Sequence, residues 1–303
     1  GRRSGSDGAT VEAVDLRRGT RVWGVDLGTR AVAAPTVAGD RVFVQTADGT
    51  YGLAPDGDVL WSSRTVDRTG FAPTAVGERV YAVGANGLAA YDAGGDRRWA
   101  LPLRTSPLAA PAADESAVYL VVPRDQMTTD VIAFDADDGS SAWRTSVAAE
   151  PGFPPVRAGD ELYLSSDLQQ GGVTALAADE GDELWTGTHR LDRGTAVTAN
   201  RVVFAAGDRV FAYSRADGTL DWSNSAGATV VAGPVADRET VYVALDSEGG
   251  GSVHALALDG GDGRWTVGFD RPVDVPVIVD GGLLVPTRDR DDGAERLHVL
   301  TEN

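Results

Sequence analysis

Seven tryptophans held in one register, spaced 37 to 44 residues apart and each four residues after a glycine, predict an all-β fold. The architecture expected is a single β-propeller of about seven four-stranded blades, with eight possible. Two further observations support it. Short runs rich in β-branched and aromatic residues alternate with Gly-Asp, Asp-Gly and Gly-Gly turns, and no segment of ten or more residues carries capped helical periodicity.

The repeat is marked four times over. Its tryptophans are Trp23, Trp61, Trp99, Trp143, Trp185, Trp222 and Trp265, preceded by Gly19, Gly57, Gly95, Gly139, Gly181, Gly218 and Gly261. Ten residues before each tryptophan stands Ala13, Tyr51, Ala89, Ala133, Ala175, Ala212 or Ala255. About twelve residues after it comes Pro35, Pro73, Pro111, Pro155, Thr195, Pro234 or Pro276. Eight further on sits Phe43, Tyr81, Tyr119, Tyr163, Val203, Tyr242 or Leu284. Chance does not keep four marks in step.

Each mark has a physical reason. The glycine supplies a turn conformation that a side chain would strain. The tryptophan is the largest apolar group of the unit, and it is expected to wedge between blades with its N–H on a carbonyl. Strands such as Arg41-Val42-Phe43-Val44 and Arg79-Val80-Tyr81-Ala82 follow turns such as Ala38-Gly39-Asp40. Residues 1–10 read as a polar leader and 11–303 as the propeller domain. The C-terminal unit ends without a tryptophan strand, while Arg21-Val22-Trp23-Gly24-Val25 is a tryptophan strand without preceding partners. N- and C-terminal strands sharing one blade would hide both raw edges. Val11-Glu12-Ala13-Val14-Asp15 is then a spare strand, either a fifth in that blade or the remnant of an eighth.

Composition narrows the function classes. Of 303 residues, 45 are acidic and 27 basic, giving a formal net charge of −18, and every basic residue is arginine. Such a surface repels nucleic acid and anionic lipid, and it suggests a salt-loving source. Cysteine is absent, which excludes disulfides, thiolate metal sites and thiol nucleophiles. No apolar run approaches the ~18 residues of a membrane span. The opening Gly1-Arg2-Arg3-Ser4-Gly5-Ser6-Asp7-Gly8 lacks the apolar stretch of a signal peptide and reads as the stub of a linker after a removed signal or lipid anchor.

Ala13-Val14-Asp15-Leu16-Arg17-Arg18-Gly19-Thr20-Arg21-Val22-Trp23 resembles the tryptophan-docking motif of quinoprotein (PQQ-like) propellers, Ala-x-Asp-x-x-Thr-Gly-x-x-x-Trp. Ala133, Asp135, Gly139 and Trp143 fit it as well. The motif's Asp is otherwise replaced by Leu53, Tyr91, Ala177, Ser214 and Ala257, and its Thr is missing throughout. The chain is similar to the BamB-like family, whose lipoproteins help assemble outer-membrane β-barrels and present a propeller face to partners. The resemblance implies a non-catalytic scaffold outside the cytoplasm, secreted or lipid-anchored, offering a loop face to a protein, peptide or anionic ligand. In a halophilic archaeon, which has no outer membrane, only cell-surface or secreted binding carries over. A monomer is expected. The rival readings are a PQQ- or metal-dependent oxidoreductase and the sensor domain of a longer membrane-anchored chain.

The family's dehydrogenases hold PQQ with adjacent cysteines, Ca2+ with a Glu/Asn/Asp set, and use a catalytic aspartate. This chain has no cysteine and no insertions long enough to build such a pocket, so neither PQQ nor Ca2+ is expected, and no catalytic residue is assigned. His189, His254 and His298 are too dispersed for a metal site, and Asp289-Arg290-Asp291-Asp292-Gly293-Ala294-Glu295 lacks the ladder of a calcium loop. One positional pattern points to binding. Five residues before the proline mark stand Arg30, Arg68, Arg190 and Arg271, with Ser106, Glu150 and Thr229 in the other units. In a propeller these positions open on one mouth of the channel, where guanidiniums suit carboxylates or other anions. Alternatively they pair with Asp67, Asp192 and Asp270 and only solubilise the surface. The longer loops Pro123 to Asp130, Ser166 to Gly172, Asp246 to Ser252 and Thr287 to Glu295 are expected at the same face.

Overall fold

A computed structural model describes residues 10–64, 71–84, 87–125, 128–148, 153–166, 172–191, 193–247, 249–279, 282–289 and 295–301. The fold is all-β, of the seven-bladed propeller class, and no helix occurs among the described residues. The expected leader lies outside them, save Thr10. Two compact units divide the chain, Gly1–Arg157 and Ala158–Asn303.

The first unit holds a hairpin, Thr10–Asp15 with Thr20–Asp26, and three four-stranded antiparallel sheets spanning 36–63, 74–102 and 112–147. The second holds four-stranded sheets spanning 156–186, 195–225 and 230–269, the first beginning at the unit boundary, and a three-stranded sheet spanning 277–300. In every complete sheet the strands pair in chain order. The Trp23 strand does not lack a preceding partner, because Thr10–Asp15, the strand read as spare, pairs along its length with it.

Burial follows position in the sheet. Ala117–Pro123 and Thr129–Asp135, the two middle strands of their sheet, are buried at nearly every position, while Ser141–Val147 alternates. A middle strand with neighbours over both faces has to be apolar on both. Cores therefore lie between successive sheets. Tyr81, Leu88 and Trp99 of one sheet pack with Leu120, Ile132 and Phe134 of the next.

The tryptophans make the inter-sheet contact. Trp23, Trp61, Trp99, Trp185 and Trp222 donate their N–H groups to the carbonyls of Pro55, Ala93, Ala136, Arg215 and Leu258, at 2.6 to 3.1 Å. Each acceptor lies in the turn before the next tryptophan strand. On the other side, Trp61, Trp99 and Trp185 face their own sheets' aromatic marks, Phe43 at 6.2 Å, Tyr81 at 6.0 Å and Tyr163 at 5.9 Å.

The glycine mark has a second cause that spacing did not reveal. A Cβ on Gly139 would stand 2.8 Å from the Trp99 ring, and one on Gly95 2.4 Å from Trp61. Both residues also have positive φ, +74° and +90°. The glycine thus serves its own turn and makes room for the preceding indole.

Two marks are corrected by strand register. Ala133, Ala175, Ala212 and Ala255 stand opposite their tryptophans as the spacing predicts, but Trp61 and Trp99 face Gly52 and Ala90, one residue past Tyr51 and Ala89. The turn is one residue shorter in those sheets. Gly57 and Gly95 donate to the carbonyl three residues back, whereas Gly139 donates to the one four back. The shift returns Asp92 to the motif position. Its carboxylate accepts the N–H groups of Gly94 and Asp96, as that of Asp135 accepts Asp137. The motif's aspartate therefore stands in three units.

Candidate functional site

The segment leading into each first strand lies beside the hairpin between the second and third strands. Ala47 N–H donates to the Arg30 carbonyl at 2.8 Å, and Arg288 N–H to that of Pro272 at 3.1 Å. Arg30 and Arg271 therefore sit at the loop ends of their sheets. Arg190 does too, since a Cβ on Gly172 in the neighbouring hairpin would stand 2.3 Å from the His189 carbonyl.

The side chains differ. Arg30 and Arg190 are exposed, with no carboxylate at ion-pair distance among the described residues. Arg271 is largely covered, and Asp289 holds it at 2.9 Å, not the adjacent Asp270. Arg68, Asp67 and Asp192 lie outside the described residues.

A tighter arginine cluster occurs in the first unit, at a loop end that the positional pattern assigned to Ser106. Asp130 is buried at the start of Thr129–Asp135, and Ser146 Oγ donates to it at 2.7 Å. Arg124 stands 3.6 Å and Arg144 3.3 Å from its two oxygens. Arg124 also donates to Ser146. One carboxylate faces two guanidiniums, leaving a local positive charge. The side chains of Arg124 and Arg144 are 57% and 59% exposed. Buried Asp130 fixes the pair, and their free N–H groups can take a carboxylate-sized anion. Arg124 belongs to one of the long loops singled out from sequence. Arg144, directly after Trp143, carried no signal.

The histidines are spread through the second unit. His189 Nδ1 is 2.5 Å from the Tyr213 hydroxyl, and His298 Nε2 is 3.0 Å from Thr287 Oγ1. His254 is half-buried, which lowers its pKa below the ordinary imidazole value. Among the described residues no three metal-ligating side chains converge. Residues 290–294 of the acidic loop fall outside them.

At the opposite strand ends, ion pairs join successive sheets. Asp114 Oδ1 accepts from the N–H groups of Ser116 and Ala117, while Oδ2 accepts from the Tyr119 hydroxyl at 3.0 Å and from Arg157 Nε at 2.7 Å. Burial alone would raise the pKa of this carboxyl. The hydrogen bonds from Ser116, Ala117 and Tyr119 outweigh it and hold the value at about 2. Glu161 meets Tyr163 and Arg215 in the same manner. Burial, and then the neighbouring Glu161 carboxylate, push the Tyr163 hydroxyl upward. Arg79 pairs with Asp137.

The family model described as outer membrane protein assembly factor BamB matches residues 7–166, 88–190 and 169–285. No curated protein matches the chain by sequence. Among solved structures, BamB from Moraxella catarrhalis is 16% identical, with a TM-score of 0.72, covering 95% of this chain and 88% of its own. The computationally designed Ika8 protein is 14% identical, with a TM-score of 0.75 and coverage of 97% and 91%. Quinohemoprotein alcohol dehydrogenase from Comamonas testosteroni is 13% identical, with a TM-score of 0.69 and coverage of 92% and 67%. At such identities these structures share the fold.

Proposed function

Because the chain belongs to the family described as outer membrane protein assembly factor BamB, we propose that it is a non-catalytic binding scaffold working outside the cytoplasm. Its strand-end loops take an acidic segment of a partner protein or another anion. The observation that carries this reading is the pair Arg124 and Arg144, fixed by one buried aspartate with both heads open to solvent. Exposed Arg30 at the loop end of its own sheet, and Arg190 at that of its sheet, support it. In a chain of net charge −18, local positive charge at the loops gives an anion somewhere to settle. The family description supports a role in assembly, which requires binding and no chemistry on a substrate. The likeness to an alcohol dehydrogenase supports the rival, an oxidoreductase.

The test is the double variant Arg124→Ser, Arg144→Ser against a labelled Asp/Glu-rich peptide, followed by anisotropy. Affinity is expected to fall about tenfold or more, the loss of one or two charge-assisted contacts. Replacing Arg97 and Arg98, at the other strand ends, is expected to leave it unchanged. Equal affinity for wild type and the Arg124/Arg144 variant removes the proposal.

A further inference from the structure

A cavity of about 460 Å³ lies in the second unit, between the 156–186 and 195–225 sheets. Glu161 lines it from the first of these sheets, and Asn200, Arg201, Ser214, Arg215 and Asp221 line it from the second. The volume suits a small molecule, but the lining is polar apart from two alanines, where such sites are usually apolar. Its two carboxylates and two guanidiniums cancel in formal charge.

The two guanidiniums are held differently. Arg215 Nε donates to Glu161 and, at 3.1 Å, to the Tyr163 hydroxyl, which itself donates to Glu161. Its Nη1 and Nη2 donate to the carbonyls of Thr198 and Ala158. The tyrosine hydroxyl thus completes the set, accepting from the cation and donating to the anion, a double role that suits a hydroxyl. Arg201 stands two residues before Val203, as Glu161 does before Tyr163, and valine brings no hydroxyl. Asp221 lies 3.0 Å from Arg201 Nε, yet Nε is buried and makes no hydrogen bond among the described residues. Nη1 and Nη2 reach Asp259 at 3.5 and 3.3 Å, and the Asp259 side chain is 98% exposed. Arg201 is therefore weakly tied and short of an acceptor, beside a carboxylate to which it is poorly aligned.

We infer that this cavity binds a neutral, hydroxyl-rich ligand of the sugar or polyol class. One ligand hydroxyl takes the part that the Tyr163 hydroxyl plays at Arg215 and Glu161. It accepts from Arg201 and donates to Asp221, as the guanidinium turns from exposed Asp259 into the cavity. A neighbouring hydroxyl meets Asn200 and Ser214. An anion would face two carboxylates there, and a cation two guanidiniums, so the cancelled charge selects a neutral molecule. Every lining residue belongs to the second unit, and the site does not depend on Arg124 and Arg144.

The test follows glucose, mannose, galactose and mannitol, each at millimolar concentration, by saturation-transfer NMR. Reading the ligand's own contact with the protein separates binding from the general stabilisation that excluded sugars give. At least one of the four is expected to bind. Asp221→Asn keeps the shape of an exposed side chain, and Arg201→Gln removes the guanidinium. Each is expected to weaken the bound sugar about tenfold, the loss of one charge-assisted bond. Glu183→Gln, on the fourth strand of the 156–186 sheet and outside the cavity, is expected to leave affinity unchanged. Glycine betaine, a small zwitterion, is expected to show no contact that Asp221→Asn removes. No binding of any of the four, affinity unchanged in both cavity variants, or betaine binding that is lost with Asp221 overturns the assignment.

Discussion

Replacing Trp99 by alanine is expected to lower stability by about 3–5 kcal/mol, the range for removing a large aromatic side chain from a core. Trp99 is buried, sits 6.0 Å from the Tyr81 ring, packs with Ile132 and Phe134 and donates to the Ala136 carbonyl at 3.1 Å. Alanine leaves a cavity between two sheets and an acceptor without its donor, so the transfer and hydrogen-bond losses fall together. Urea denaturation followed by far-ultraviolet circular dichroism measures it as a drop in midpoint. Trp99→Phe separates the two parts. It keeps most of the ring and loses the N–H, and is expected to cost about 1–2 kcal/mol beyond the small loss of volume. An alanine variant within about 0.5 kcal/mol of wild type would mean that the indole does not join the sheets.

Gly139→Ala is the second large effect. The residue has φ +74°, and the added methyl would stand 2.8 Å from two Trp99 ring atoms. Left-handed backbone costs about 1–2 kcal/mol for a side-chain-bearing residue. Pushing a packed indole aside adds about 1–3 kcal/mol. Gly19→Ala is the comparison that divides these costs. Gly19 has φ +64°, with nothing within 4 Å of the methyl position, so only the backbone cost is expected there. The difference between the two variants, measured by the same denaturation, is the cost of crowding the tryptophan. Equal losses would show that the repeated glycine serves its turn alone.

The fold was legible because tryptophan and glycine each have a role that no smaller or bulkier residue fills, and the propeller repeats that role at a nearly fixed period. Register was legible only while turn length held constant. One residue fewer before Gly57 and Gly95 moved the mark from Tyr51 to Gly52 and hid Asp92 behind Tyr91. Spacing counted from the tryptophan passes through the turn and absorbs its length. The loop-end positions of Arg30, Arg190 and Arg271 could be read from the repeat, because strand order fixes which end a connection occupies. What each guanidinium meets could not. Arg271 turns to Asp289, on the neighbouring hairpin, and the Arg124–Asp130–Arg144 set joins a loop to a strand that carried no mark. The inter-sheet pairs were hidden for a related reason. Asp114 with Arg157, Glu161 with Arg215 and Arg79 with Asp137 lie 43, 54 and 58 residues apart, and their residue types change from sheet to sheet.

A propeller shared with both an assembly factor and alcohol dehydrogenases leaves chemistry to be decided at the site, since fold alone does not assign it. The direct measurement is dialysis of the purified chain against PQQ with Ca2+, followed by its absorbance spectrum and a dye-linked alcohol oxidation assay. A binding scaffold is expected to retain no quinone absorbance and to reduce no dye. Quinone retained in stoichiometric amount, with dye reduction that depends on added alcohol, would contradict the non-catalytic reading.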